Sequence, residues 1–392
     1  MKVKMIYRNY IPLYSGYCSF WMSEIQGIDI TIPEPKTSLK RLFKIYKKIN
    51  NLPLIHIFLE VFQKAVFQPR RSVDKDIDLF FFAGIMPPDN FNKPFVIDLE
   101  HVFSIFDFQT PSRKKKNEVF QILKSPYCKK IMPWSRAAQK TLKEFYQDDY
   151  KYLKSKTEVV YPALPNYTDI YNREKDNSIV KENKNLKLLF IGRDIYRKGL
   201  HEVLPAFLSL YKKHKNIEIH CITNYNDKFK EEYNHPNIHF YPYTFKHTDL
   251  IKKFFMTCDL FIMPTHTDTF GMVYLEALSA GLPIIATKQF ATPEFLKEGV
   301  NGYFVNSKNL FLNDPKLKAE ECDKKIEKYK TTEESLVMDI EDKLEYLLNN
   351  PNIFKKFKRN SPKEFESGGK FSFKKRNNQL KRIFTEAVKN ER

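Results

Sequence analysis

Glycine is scarce in this chain: 11 of 392 residues, where average usage would give about 27. A chain that uses so few is expected to keep them where no side chain fits, at φ > 0 or in close approach to a ligand. Cysteine is sparse too. The 5 present, Cys18, Cys128, Cys221, Cys258 and Cys322, are odd in number, scattered, and form no C-x-x-C pair. That excludes a disulfide framework and a cysteine zinc site of ordinary spacing, and it fits small buried hydrophobes in a reducing cytoplasm. No apolar run approaches the roughly 18 residues needed to cross a bilayer, and mean hydropathy is -0.51. The basic Met1–Arg8 stretch is not followed by an apolar segment, so no secretory signal is expected. A G-x-x-x-x-G-K-[ST] loop is missing, as is a G-x-G-x-x-G after a strand, which removes support for P-loop hydrolysis and for ordinary dinucleotide redox chemistry.

What is abundant is aromatic and basic. With 34 Phe and 22 Tyr, aromatics make up 15% of the chain, which argues against global disorder. Lys and Arg number 66 against 47 acidic residues, a net charge of +19. Such a balance draws a protein toward polyanions: nucleic acid, an anionic membrane face or phosphorylated small molecules. A lysine-rich composition spread over every solvated face gives the same number, so charge alone does not select the partner.

The length implies two domains. In the first half, short apolar runs (Val3–Tyr7, Ile77–Ala83, Phe95–Leu99, Lys130–Pro133, Glu158–Pro162) alternate with helical patterns such as Arg136–Tyr146. After a polar stretch the alternation resumes: strands at Leu186–Gly192, Ile217–Thr223, Ile238–Tyr241, Leu260–Pro264 and Pro283–Thr287, and helices at Gly199–His214, Leu250–Thr257 and Met272–Ala280. Strands separated by helices of that length imply right-handed βαβ units and parallel sheets. The expected organisation is an α/β chain of two Rossmann-like domains: 1–165, a linker at 166–185, 186–365, and a last helix in 366–392 returning toward the first domain. A ligand cleft is expected between the domains, outside the carboxyl ends of the strands. Residues 307–335 read as a polar, lysine-rich insertion, followed by a helix over Asp339–Leu348.

Six of the 11 glycines fall between 192 and 302, and two constellations lie among them. In Phe190-Ile-Gly-Arg-Asp-Ile-Tyr-Arg-Lys-Gly199 a strand ends, Gly192 lets the backbone turn, and Arg193 and Lys198 can converge on one point. A guanidinium fork plus a compact ammonium is what a diphosphate requires; a solvated basic loop is the alternative. In Pro264-Thr-His-Thr-Asp-Thr-Phe-Gly-Met-Val-Tyr-Leu-Glu276 a strand leads into a loop and then a helix, whose amides and positive dipole end suit an anion. Glu276 falls on an inward face, where an unpaired carboxylate is costly. Either a ribose diol or a salt bridge to a lysine or arginine would satisfy it. Asp268 precedes the helix and can reach further hydroxyls.

Taken together, Gly192-Arg193-x4-Lys198-Gly199, Asp268-x-Phe270-Gly271-x4-Glu276-Ala277-x2-Ala280-Gly281-x-Pro283, and Pro293-Glu294-x4-Gly299-x-Asn301-Gly302 resemble the GT4-type retaining glycosyltransferases of the GT-B fold. The resemblance covers residues 186–305 well and the first half faintly, through Leu99-Glu-His101, Pro133-Trp-Ser135 and Val160-Tyr-Pro162. It implies a nucleoside-diphosphate sugar as donor and a glycan or lipid-linked glycan as acceptor. In that family Arg193 and Lys198 would neutralise the diphosphate and Glu276 would hold the ribose. Amides at Phe270, Gly271 and Met272 would bind phosphate or sugar oxygens, Asp268 the transferred sugar, and Tyr243 to Lys246 would lie near the base. The family usually has glutamate where this chain has Asp268. Gly16, in Pro12-Leu-Tyr-Ser-Gly16, would cover the donor phosphates, and His101 would stand near the transferred sugar; a structural histidine is the other reading of His101. No metal and no cofactor are expected.

Other features are read as follows. Asp74, Asp76 and Asp78 give D-x-D patterns but precede a buried strand in a highly charged chain. His235, His239 and His247 lack the i, i+4 spacing of a helical zinc pair and are read as loop histidines. The segment Lys36–Ser72 carries Lys40, Arg41, Lys44, Lys47 and Lys48 among Leu39, Leu42, Phe43 and Ile45. It could lie on an anionic membrane, giving a cytoplasmic protein peripheral to the inner face, or cover the sheet as an ordinary surface helix. A nucleic-acid-binding protein is suggested only by the net charge and leaves Asp268 and Glu276 without a purpose.

Overall fold

The computed structural model describes residues 1–7, 24–31, 76–106, 108, 110–171, 185–310 and 330–389. Gly16, Cys18, Cys322, Asp74, the basic segment 36–72 and most of the 307–335 insertion lie outside these residues. The chain divides into two compact units: Met1–Trp134, Gln139–Val160 and Asn377–Arg392 form the first, Ser135–Ala138 and Tyr161–Arg376 the second.

In the first unit five strands, β1 (Lys2–Tyr7), β2 (Asp29–Thr31), β3 (Leu79–Ala83), β4 (Phe95–Leu99) and β5 (Cys128–Pro133), make a parallel sheet in the order β2-β1-β3-β4-β5. Leu-Phe-Phe-Phe-Ala of β3 and Phe-Val-Ile-Asp-Leu of β4 are buried at every position, as expected of strands covered on both faces. Phe80, Phe82, Phe91 and Phe95 meet edge to face with ring centroids 5.0 to 5.9 Å apart, a preferred aromatic geometry. Glu158–Pro162, expected as a strand, is not one. Its amides at Glu158 and Val160 donate to Ile131 and Pro133 of β5, so the segment runs extended along the sheet edge without entering the ladder. The last helix, Phe373–Lys389, places Phe384 against Phe81 of β3, with centroids 6.1 Å apart.

The second unit holds a six-stranded parallel sheet: β6 (Leu186–Ile191), β7 (Ile217–Thr223), β8 (Ile238–Pro242), β9 (Leu260–Met263), β10 (Ile284–Thr287) and β11 (Gly302–Val305). Its order is β11-β10-β9-β6-β7-β8, so connectivity reverses between β6 and β9. In open α/β sheets, ligands bind beyond the carboxyl ends of the strands at such a switch point. The loops that leave β6 and β9 there are the two glycine-bearing constellations.

Helices fall close to expectation at Arg136–Tyr146, Leu200–Lys213 and Met272–Ser279. The helix expected over Leu250–Thr257 begins earlier, at His247, and continues as a wide turn over Ile251–Phe255. That over Asp339–Leu348 extends to Glu334–Asn349. Cys128, Cys221 and Cys258 are buried thiols. No described helix is long and apolar enough to cross a membrane.

Candidate functional site

The loop after β6 is shaped by its own polar groups. The Asp194 carboxylate accepts from the amides of Tyr196 (3.1 Å) and Arg197 (3.0 Å), closing a tight turn. The turn delivers Lys198 inward, 8% exposed, and leaves Arg193 outside. Gly199 then starts the helix Leu200–Lys213 at φ +79°, where a Cβ would stand 2.5 Å from the Pro264 carbonyl. Only glycine lets this loop meet the one after β9 so closely. The two are stitched at one acceptor: the Arg197 carbonyl takes the His266 amide at 3.0 Å and the Thr265 hydroxyl at 3.1 Å.

Across that seam Lys198 Nζ lies 2.5 Å from Asp268 Oδ2. The sequence reading assigned these two residues separate ligands; the fold makes them an ion pair. The reason is burial, because an ammonium so enclosed needs a counter-charge. Burial drives the Lys198 ammonium below its ordinary range, and Asp268 opposes that shift. Asp268 also flanks the start of the helix Met272–Ser279. Gly271, at φ +76°, precedes that helix, and a Cβ on it would lie 2.6 Å from the Tyr274 ring and 3.3 Å from Asp268 Oδ2. No side chain caps this helix start, so its backbone amides present the positive end of the dipole beside Asp268. Phe270 is buried, and Met272 is half-buried at the first turn.

A second cluster forms around Glu276, which is 9% exposed. Its Oε1 lies 2.8 Å from His247 Nε2. The sequence reading offered a ribose or a lysine or arginine as its partner; the partner found is a histidine. His247 had been read only as a loop residue, and no spacing signal links it to Glu276, since the two come from different elements. Burial alone would lower the His247 pKa, but the hydrogen bond and charge of Glu276 outweigh it and raise the value. Tyr243 belongs to the same cluster. Burial first, then the Glu276 charge, raises its phenol, while Arg193 acts the other way. The Arg193 guanidinium stands 5.1 Å from the centre of the Tyr243 ring, within cation–π range. Gly192, between β6 and Arg193, donates its amide to Ile222 of β7 at 3.0 Å.

Thus Gly192, Arg193, Lys198, Tyr243, Asp268, Phe270, Gly271, Met272 and Glu276 all fall in the second unit around the β6/β9 switch point. His101 belongs to the first unit, after β4, and is described by itself. It is buried, its Nδ1 accepts from the Phe103 amide at 3.1 Å, and burial lowers its pKa to about 4. Trp134 and Ser135 have structural partners. The indole donates to the fully buried Asp98 at 2.9 Å, and the Ser135 hydroxyl accepts from the Ala138 amide at 2.9 Å, capping Arg136–Tyr146. Glu294 accepts from the Arg136 and Ala137 amides, at 3.0 and 2.9 Å, and from the Tyr161 hydroxyl at 2.6 Å.

Residues 172–334 match the family described as Glycosyl transferases group 1. Over 179 residues the chain is 27% identical to an uncharacterized glycosyltransferase of Methanocaldococcus jannaschii, covering 43% of this chain and 46% of that protein. It is 30% identical over 130 residues to the lipopolysaccharide glucosyltransferase WaaG of Escherichia coli, covering 32% and 33%. The alignments thus span less than half the length of these curated relatives. Among solved structures, Anabaena HepE in complex with UDP-glucose superposes with a TM-score of 0.59 at 13% identity, covering 98% of this chain and all of that one. A glycosyltransferase from Rickettsia africae gives 0.56 at 15% identity, covering 99% and 98%. The chain has the GT-B fold, and its residues 172–334 match the group 1 glycosyltransferase family.

Proposed function

We propose that the protein is a retaining glycosyltransferase that moves a sugar from a nucleoside-diphosphate donor to a glycan or lipid-linked glycan. The observation that carries this reading is the Lys198–Asp268 pair beside the start of the helix Met272–Ser279, on the two loops at the β6/β9 switch point, with Glu276 on that helix and Tyr243 and Arg193 in the cluster around it. Arg193, Lys198 and the helix amides would receive the diphosphate. Glu276 would hold the ribose with His247 fixing its carboxylate, and Asp268 would hold hydroxyls of the transferred sugar. The incoming diphosphate then competes with Asp268 for Lys198, so the ammonium is shared between donor and carboxylate.

Breaking the anomeric C–O bond places negative charge on the leaving diphosphate and positive charge on the sugar ring. Fixed cations and amides aimed at that diphosphate stabilise the charge as it develops, with no reorganisation to complete at that moment. The acceptor hydroxyl attacks from the face the phosphate leaves and can pass its proton to that phosphate, so no protein nucleophile is required. Capsular, lipopolysaccharide and glycolipid enzymes among the relatives favour cell-surface glycan synthesis, with the acceptor reached from the cytoplasmic face of the membrane.

The test begins with a thermal-shift screen against UDP-, GDP-, ADP- and CMP-sugars, because a ligand that binds only the native state raises Tm. With the responding donor, Lys198→Ala and Glu276→Ala each lower turnover at least ~100-fold. Full activity in both variants refutes the site. Donor binding without turnover by the wild type across acceptors identifies instead a sugar-nucleotide binding protein of the same fold.

A further inference from the structure

Behind the two loops lies a polar cluster that the proposed reaction does not use. His201, Glu202 and His266 are 3%, 0% and 0% exposed, and one ligand atom from each lies within 4.8 Å of the others. His266 Nε2 stands 3.0 Å from Glu202 Oε1, and His201 Nδ1 3.0 Å from Glu202 Oε2. The second approach lacks hydrogen-bond geometry. Among the described residues both ring nitrogens of His201 and Oε2 of Glu202 are buried without a hydrogen-bond partner, a costly state for polar atoms in a protein interior.

Counting protons sharpens the problem. The Ser307 hydroxyl donates its single hydrogen to Glu333 Oε2 at 2.9 Å and accepts from the Asn309 amide at 3.1 Å. With that hydrogen on Glu333, His266 Nδ1, 3.2 Å from that oxygen, carries hydrogen and donates it. A neutral imidazole in that tautomer presents a lone pair at Nε2, facing a carboxylate oxygen that also only accepts, and a cation between the two relieves the clash. The other tautomer, with Ser307 turned to donate to Nδ1, places the hydrogen on Nε2 instead. A proton on Nε2 satisfies that contact but leaves His201 Nε2 without a hydrogen bond and the 3.0 Å approach of His201 Nδ1 to Glu202 Oε2 without hydrogen-bond geometry; a metal ion takes up all three residues. The Nδ1–H···Ser307···Glu333 chain is also the kind of outer hydrogen bond that metal-bound histidines ordinarily make.

We propose that His201, Glu202 and His266 bind a divalent metal ion, with zinc suited to two imidazoles and one carboxylate. The sequence reading expected no metal and did not consider these residues; His201 and Glu202 are adjacent and Glu202 is 64 positions from His266, a spacing no zinc pattern covers. His201 and Glu202 sit in the first turn of the helix that follows Lys198 and Gly199, and His266 sits two residues before Asp268. The ion would therefore tie the loop after β6 to the loop after β9 from the buried side, as a structural metal outside the transfer chemistry.

The experiment uses the full-length chain purified without chelators. Metal content is measured by inductively coupled plasma mass spectrometry, and chelator-treated protein is titrated with zinc chloride while Tm is followed. The expected result is about one zinc per chain, a rise in Tm on adding zinc, and background zinc in His201→Ala and His266→Ala. Ser307→Ala removes only the outer hydrogen bond and should weaken zinc affinity about 10- to 100-fold. It keeps the proposal testable if the histidine variants do not fold. Folded wild type with background metal and a Tm indifferent to zinc overturns the proposal, leaving a proton on Nε2. Full zinc content in folded His266→Ala overturns it too, by placing the metal elsewhere.

Discussion

Two histidines, His101 and His247, show how burial and a charged neighbour push one kind of side chain in opposite directions. His101 is desolvated by burial, and its pKa falls from 6.5 to about 4. Between those values the unfolded chain binds a proton that the folded chain refuses, so stability declines as pH falls through that window. The full effect is up to about 3 kcal/mol. His247 is desolvated too, but Glu276 wins and raises its pKa above 6.5. Its contribution is fully present below 6.5 and is lost as pH rises through the raised value. Tm against pH should therefore have an acid limb that His101→Asn flattens and an alkaline limb that His247→Gln flattens. Unchanged limbs in both variants contradict these assignments. At this scale the charged residues of the candidate site could be picked from the sequence, but not how they pair. The Lys198–Asp268 and Glu276–His247 pairs join residues from separate loops and elements, so neither is written in local spacing. Burial dictates that each charge find a partner, but topology supplies it.

The elements that shape the site are short loops made possible by two glycines. Gly199 and Gly271 both adopt φ near +80°, and a Cβ on either would stand within 2.6 Å of a neighbour, the Pro264 carbonyl or the Tyr274 ring. Alanine at either position pays the left-handed backbone penalty, about 1–2 kcal/mol, together with the clash. Gly199→Ala and Gly271→Ala should therefore lose at least about 2 kcal/mol of stability by urea denaturation. A loss below about 0.5 kcal/mol would show that the loops relax freely. Five of the six strands of the second unit were legible as apolar runs bounded by turn residues, as in Leu186–Ile191 and Leu260–Met263; β11, four residues long and half-buried at its middle, was not. Glu158–Pro162 has a similar composition, but it bonds to the edge strand β5 only through the Glu158 and Val160 amides, too few contacts to make a strand, and pattern alone cannot see that. The short strand Asp29–Thr31 is polar and half exposed, which leaves no periodic signal. The wide turn at Ile251–Phe255 obscured where its helix begins.

For the molecule as a whole, the two units differ in how much of their role can be read. The second carries its site on backbone-determined loops at a sheet switch point, where glycine, a cation and a helix start must occur in fixed order. Such a constraint leaves a dense trace in sequence. The first unit presents β2-β1-β3-β4-β5, an order shared by many α/β sheets, and its residues of interest, Asp98, Trp134 and His101, are engaged in holding that sheet and the segments around it. Choice of the proposed acceptor would depend on shape rather than on fixed backbone geometry, which leaves little pattern to read. Net charge of +19 adds long-range attraction for anions without naming one.

The central claim is that Lys198 and the adjoining helix start read the diphosphate while Glu276 reads the ribose. Titration calorimetry with the preferred nucleoside diphosphate and the matching monophosphate separates these roles. The account predicts that the wild type prefers the diphosphate, that Lys198→Ala erases that preference, and that Glu276→Ala weakens both nucleotides by the same factor. A Lys198→Ala protein that keeps its full preference for the diphosphate would contradict it.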